Sequence, residues 1–206
     1  FDGEDRAQEQ TADLVIVAGS ATETARLLLN SSCGWAPDGL GNNHGWVGHN
    51  LQGHAYTGAF GLFDGIITDF AGPGATFGFC DFNHHNEGMV GGGLLCNEFN
   101  TLPYLFTKIR PPGSARWGKE HKAFQVENIR RVAGLHGPIQ EMPNFTARVT
   151  VDPSVRDHWG IPVAALSGER PPLDHEHCKF LSARAEEVLK EAGARLTWQS
   201  VGGRGL

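Results

Sequence analysis

The segment Val47-Gly-His-Asn-Leu-Gln-Gly-His54 is rich in groups that could do chemistry. Two Gly flank Asn50, and His49 and His54 lie on either side of it. Such a stretch can lay bare backbone and a side-chain amide against a flat ligand, and it also suits an ordinary loop whose Asn bonds its own backbone. A second candidate is Leu14-Val-Ile-Val-Ala-Gly-Ser20 running into a helical pattern. Backbone N–H groups at a helix N-terminus, with only small residues before them, favour a phosphate or nucleotide. The three-glycine fingerprint of a first strand–helix turn is missing there. A nucleophile elbow around Ser20 would need Gly at the positions held by Ala18 and Thr22.

Metal-ligand types occur in two places. His84-His85 follow Cys80 and Asp81, and His175-x-His177 precedes Cys178. Neither has a zinc spacing with a matching second half, and on a helix His175 and His177 point to different faces. Ten His invite acid–base chemistry, yet no Ser/His/Asp set assembles from spacing alone. His121 reads as a core or boundary residue. Cys33, Cys80, Cys96 and Cys178 lie far apart, form no CxxC, and read as free thiols rather than a disulfide framework.

Several elements must position these groups. Leu14–Ala18 is a continuous β-branched run of the kind that suits a strand covered on both faces. Glu23–Asn30 predicts a short helix, with Ser20 or Thr22 able to cap it. The stretch 34–53 holds six Gly and three Asn and predicts a long loop wrapped around something. Tyr56–Phe63, Ala75–Phe82 and Met89–Asn97 predict antiparallel strands joined by short turns. A helix is expected over Ala115–Val132, with Trp117, His121, Phe124 and Ile129 on one face. Asn144–Val151 alternates as a half-buried strand, 157–160 is a turn, and Ile161–Leu166 is another strand. The clearest helix is Asp174–Ala192, where Cys178, Leu181, Ala185, Val188 and Ala192 recur at three or four residues; Asp174 can cap it and Gly193 can end it.

Composition narrows the function classes. Of 206 residues 28 are Gly, about twice the usual share. The net charge is −6 with no basic stripe, which argues against a nucleic-acid partner. No apolar run is long enough to span a bilayer. Twelve Phe and five Trp need burial, which argues against disorder.

Ala12–Ser31 together with Val47–His54 resembles the glucose–methanol–choline (GMC) family of FAD-dependent oxidoreductases. Met142-Pro-Asn to Val151-Asp-Pro, Asp157-x-x-Gly-Ile-Pro-Val163 and the helix opening at Asp174-His are similar to later parts of the same family. Ala25 stands where many members have Pro, His49 where they have Arg, and Gly53 where they have Asp. The resemblance implies an α/β plus α+β fold: the end of a Rossmann-like FAD-binding domain over 1–53, then an antiparallel-sheet substrate domain over 54–206 with helices on one face. It implies FAD as cofactor, with Ala18, Gly19 and Ser20, and less strongly Glu23, at the adenosine half. Asn50 and His54 fall near the flavin or its access path. The implied reaction is oxidation of an alcohol or sugar hydroxyl by hydride transfer to flavin. Members are longer, so the chain is expected to be an internal piece partnered by N- and C-terminal segments of the same protein. The second of these would carry the catalytic His, and no catalytic residue is assigned within the chain. An electron-acceptor protein is a possible further partner. The alternative is a non-catalytic sugar-binding module in which Tyr56, Phe60, Trp46 and Trp35 stack on sugar rings. A zinc protein is a third reading.

Overall fold

The computed structural model describes residues 2–68, 74–98 and 101–202. The chain divides into two compact units. Of the described residues, the first contains those up to Gln52 together with Pro143–Arg170, and the second contains those of Gly53–Met142 and of 171–202. Residues 143–170 therefore group with the N-terminal segment instead of with the sheet that surrounds them in sequence.

The first unit is built from one helix and one hairpin. Helix α1 (Ser20–Asn30) packs on strands β5 (Arg148–Arg156) and β6 (Pro162–Ser167). The hairpin is antiparallel, with Val149 opposite Leu166 and Asp152 opposite Val163. Its register slips between Asp152 and Arg156. Pro153 lacks an N–H for the ladder, and the Asp152 carboxylate accepts the Ser154 N–H at 2.8 Å, so the strand bulges there. The turn expected at 157–160 is present, with Asp157 N–H bonded to the Ile161 carbonyl. Ala25, Ala147 and Val149 are buried at the helix–hairpin contact.

Two expectations for this unit are corrected. Leu14–Ala18 forms no strand, and Leu14, Val15 and Ile16 are 78, 74 and 82% exposed. An isolated strand has neither ladder partners nor faces to bury it, and no described strand lies alongside this run. The Rossmann-like end is thus not seen. The cap of α1 is Gly19, with no side-chain cap bond from Ser20 or Thr22; Ser20 instead adopts φ +73°.

The second unit is a five-stranded antiparallel sheet. Its strands are β1 (Tyr56–Leu62), β2 (Gly78–Phe79), β3 (Leu95–Glu98), β4 (Val132–Pro138) and β7 (Leu196–Ser200), in spatial order β2-β3-β4-β1-β7. The antiparallel sheet was expected; its order was not. The strand β1 pairs with β4 and β7, both distant in sequence, rather than with the next strand along the chain. Of Ala75–Phe82 only Gly78–Phe79 joins the sheet.

Helix α4 (Pro172–Glu191) lies on the face bearing Ala59, Leu95 and Leu135. Its stripe Cys178, Leu181, Ala185 and Leu189 is buried against them, as the spacing predicts. Gly193, at φ +91°, ends the helix by donating its N–H to the Lys190 carbonyl. Asp174 does not cap α4. It is buried and accepts the Met142 N–H at 2.9 Å, while the N-cap position is Pro171. Helices α2 (Pro103–Phe106) and α3 (Gly118–Asn128) send Phe106 and Phe124 to a second cluster with Leu62, Val132 and Trp198. Side chains alternate along a strand, so Leu62 and Val132 face away from Ala59 and Leu135. Helices therefore cover both faces of the sheet, not one. Trp117 caps α3 from outside and stays exposed, while Phe124 and Ile129 pack as expected.

Candidate functional site

In the first unit Ala18, Gly19 and Ser20 are exposed at the start of α1. Gly19 donates its N–H to Thr24 Oγ1 at 3.0 Å. The helix start carries no side-chain cap, which leaves first-turn N–H groups open to a polar ligand. Glu23 already has a partner: its carboxylate meets Arg26 at 3.0 Å. Arg26 also donates to Asp157 at 2.6 Å and to the Pro162 carbonyl at 2.8 Å, tying α1 to the hairpin. The Ile161 N–H, followed by the Arg26 guanidinium, holds the Asp157 carboxyl below the usual carboxylate range. Asn50 sits half-buried at φ +57° in a loop fastened to β5, not to the start of α1. Leu51 N–H bonds the Ala147 carbonyl and His49 pairs with Arg148 across an isolated bridge. Gly48 at φ +87° is obligatory there, because a Cβ would lie 2.2 Å from the Val149 carbonyl oxygen.

In the second unit His54 is exposed, and its ring lies 6.0 Å from that of Tyr56. The backbone on either side of it is held by one carboxylate. Glu141 accepts the Gly53 N–H at 2.9 Å and the Ala55 N–H at 2.6 Å. On the face of the sheet opposite α4, His136 lies across from Gly58 and Cys96. Its side chain is 10% exposed, with Nδ1 3.1 Å from the Glu98 carboxylate. Both ring nitrogens are buried, and Nε2 has no hydrogen-bond partner. Phe60 covers the imidazole at 4.4 Å and Trp198 lies beyond Phe60 at 5.7 Å. The imidazole holds the Glu98 carboxyl below the usual range. Of this pair the Glu98 carboxylate is the accessible group, able to accept from a hydroxyl, while both imidazole nitrogens are buried beneath it.

On the α4 side a cavity of about 550 Å³ is walled by Phe63, Phe77, Phe79, Leu135 and Val188. The buried Thr57 hydroxyl ties α4 to the sheet: it shares a 2.5 Å hydrogen bond with Ser182 Oγ and donates toward the Cys178 and Ser200 carbonyls. His175 is half-buried and His177 fully buried, on different faces of α4 as the spacing predicts. Among the described residues no three His, Cys, Asp or Glu converge as a metal site. No described helix is long and apolar enough to cross a membrane.

The sequence reading missed His136, Glu98 and Arg148. Their only local sign is alternation within short strands. Their juxtaposition depends on β3–β4 and loop–β5 pairings that no spacing rule supplies. Phe60, a candidate sugar platform, is packed between His136 and Trp198, whereas Tyr56, Trp46 and Trp35 remain exposed.

No family model matches the chain. It is similar to the 2-methyl-1,2-propanediol dehydrogenase of Mycolicibacterium austroafricanum, 28% identical over 90% of this chain and 35% of that protein. It is also similar to the paromamine 6'-oxidase of Streptomyces fradiae, 28% identical over 87% of the chain and 31% of that protein. The gluconate 2-dehydrogenase flavoprotein of Pantoea cypripedii is 25% identical over 95% of the chain and 33% of its own length. The chain thus spans about a third of the length of the curated relatives it matches. All three are named as oxidoreductases of alcohol or sugar compounds, and one is named a flavoprotein.

Proposed function

We propose that the chain supplies the end of the FAD-binding region and most of the substrate region of a GMC-type flavoprotein oxidising an alcohol CH–OH group. The observation that carries this reading is the similarity, across about nine-tenths of the chain, to enzymes named for oxidation of a diol, an amino sugar and a sugar acid. The residues present suit the cofactor. The open first turn of α1 leaves Ala18, Gly19 and Ser20 able to contact its adenosine half, and Asn50 holds its loop in a left-handed backbone conformation. Glu23, committed to Arg26, acts there by fixing the helix rather than by touching ligand. When bound, FAD supplies the hydride acceptor. The chain's own part is to bind and orient: Glu98 presents its exposed carboxylate to a substrate hydroxyl, the buried His136 beside it holds that carboxylate in place, and His54 lies at the edge of the same unit. The substrate, the acceptor partner and the segments completing the enzyme belong to this proposal.

The test uses the whole reading frame in which these residues lie. The purified protein should carry a visible flavin band that bleaches anaerobically on adding diols, polyols or aldonates. Protein that releases no flavin on denaturation, or a flavin that no alcohol reduces, overturns the proposal. The exposure of Trp35, Trp46 and Tyr56 favours the second reading, a sugar-binding module. Saturable heat on titrating the 206-residue chain with mono- or disaccharides, without flavin, would support it.

A further inference from the structure

The loop preceding Asn50 carries a different possibility, independent of the flavoprotein reading. His49 and Arg148 face each other across an antiparallel bridge flanked by two backbone hydrogen bonds, Val149 N–H to Gly48 O and Leu51 N–H to Ala147 O. Residues opposed in this way put their side chains on one face. Both line a cavity of about 290 Å³ whose remaining wall is chiefly Leu29, Val47, Val149 and Val151. No carboxylate lines it. Arg148 enters none of the ion pairs among the described residues.

The His49 ring is fixed. It stacks on Phe145 at 3.8 Å and 13°, and its Nδ1 lies 2.8 Å from the Phe145 carbonyl oxygen. A carbonyl oxygen only accepts, so Nδ1 carries the proton and the neutral ring leaves Nε2 bare. Protonation puts a second N–H at Nε2. The one charged group facing it from the neighbouring elements is the Arg148 guanidinium on β5; α1 offers Leu29, and the loop offers Asn42, Gly45 and Val47. An anion lying between the two groups meets the guanidinium charge and accepts the Nε2–H of the protonated ring. Anion and proton then bind together, each strengthening the other.

We propose that His49 and Arg148 form a binding site for a small oxyanion, the phosphate or carboxylate group of a ligand. Arg148 supplies a planar pair of donors and His49 a third donor when protonated.

The 206-residue chain, labelled with 15N in its imidazoles, tests this by NMR. Sulfate, whose charge is constant over the range used, stands in for phosphate, and acetate for a carboxylate. The neutral His49 ring should show the Nδ1–H tautomer. At least one anion should shift its signals saturably, with affinity about tenfold higher at about pH 6 than at about pH 8. The stronger of the two identifies the oxyanion class. Arg148→Gln should abolish saturation. His49→Arg should hold the affinity at its acidic value across the range, a result that a merely structural histidine would not give. His44→Gln, in the same loop but outside the cavity, should change nothing. An Nε2–H tautomer, shifts that rise linearly with either anion, or saturation that survives Arg148→Gln overturns the proposal.

Discussion

Glu186 fastens α4 to β7, and its replacement by Gln gives a sharp test of the second unit. One carboxylate oxygen accepts the Thr197 hydroxyl at 2.8 Å and faces the Lys190 ammonium at 3.0 Å. The other accepts the Gln199 amide at 2.9 Å. These partners, Gln199 foremost, hold the carboxyl down to about 2, from 4.5. Fully realised, such a displacement is worth about 3 kcal/mol of folding free energy. The group is partly wet, and solvent screening brings the expected loss for Glu186→Gln to about 1.5 kcal/mol at about pH 7. The sign follows from the lowered folded value. The unfolded chain takes up this proton first as pH falls, so the contribution is complete above the unfolded pKa and drains away between there and the folded one. By about pH 3 more than half of the difference between wild type and variant should have gone. Urea unfolding followed by tryptophan emission provides the assay. Trp198 is buried beside Gln199 on β7, while Trp35, Trp46, Trp117 and Trp159 are exposed, so the emission shift reports this sheet. An equal loss at both pH values would show that Glu186 acts through shape and neutral hydrogen bonds, and would refute the electrostatic argument.

Two further outcomes are expected. Gly137→Ala would set a Cβ 1.7 Å from the Leu94 carbonyl oxygen, so β3 and β4 must separate; a loss of about 3 kcal/mol or more by denaturant unfolding is expected, and a near-neutral result would contradict the β3–β4 approach. Arg26→Gln should loosen α1 from the β5–β6 hairpin by leaving Asp157 and the Pro162 carbonyl with weakened partners. Hydrogen exchange in α1 should accelerate severalfold while exchange in the sheet of the second unit stays unchanged.

How far the fold was legible depended on the range of the interactions. The α4 stripe was readable because Cys178, Leu181 and Ala185 recur with the helical period, and Gly193 supplies the left-handed stop. The hairpin β5–β6 was readable because its two alternating runs adjoin through a tight turn. Strand β4 was not: Val-Ala-Gly-Leu-His-Gly-Pro breaks the apolar alternation with two Gly, a His and a Pro. Those same small residues are what let His136 lie flat and Leu94 approach Gly137. Leu14–Ala18 shows the reverse failure. Its composition suits a doubly covered strand, but composition cannot provide the neighbouring strands, and the run stays exposed.

The sequence by itself determined the Gly-rich, acidic character of the chain, its main helices, and a resemblance pointing to alcohol oxidation. These rest on composition, period and local motif, which act within a turn or two of the chain. Only tertiary structure decided that residues 143–170 fold with the N-terminal segment, that β1 sits between β4 and β7, and that helices cover both sheet faces. It also brought His136 to Glu98 and His49 to Arg148, pairs 38 and 99 residues apart. Strand register joins such residues through backbone hydrogen bonds that every residue type can make, so the side chains alone carry no mark of their partners.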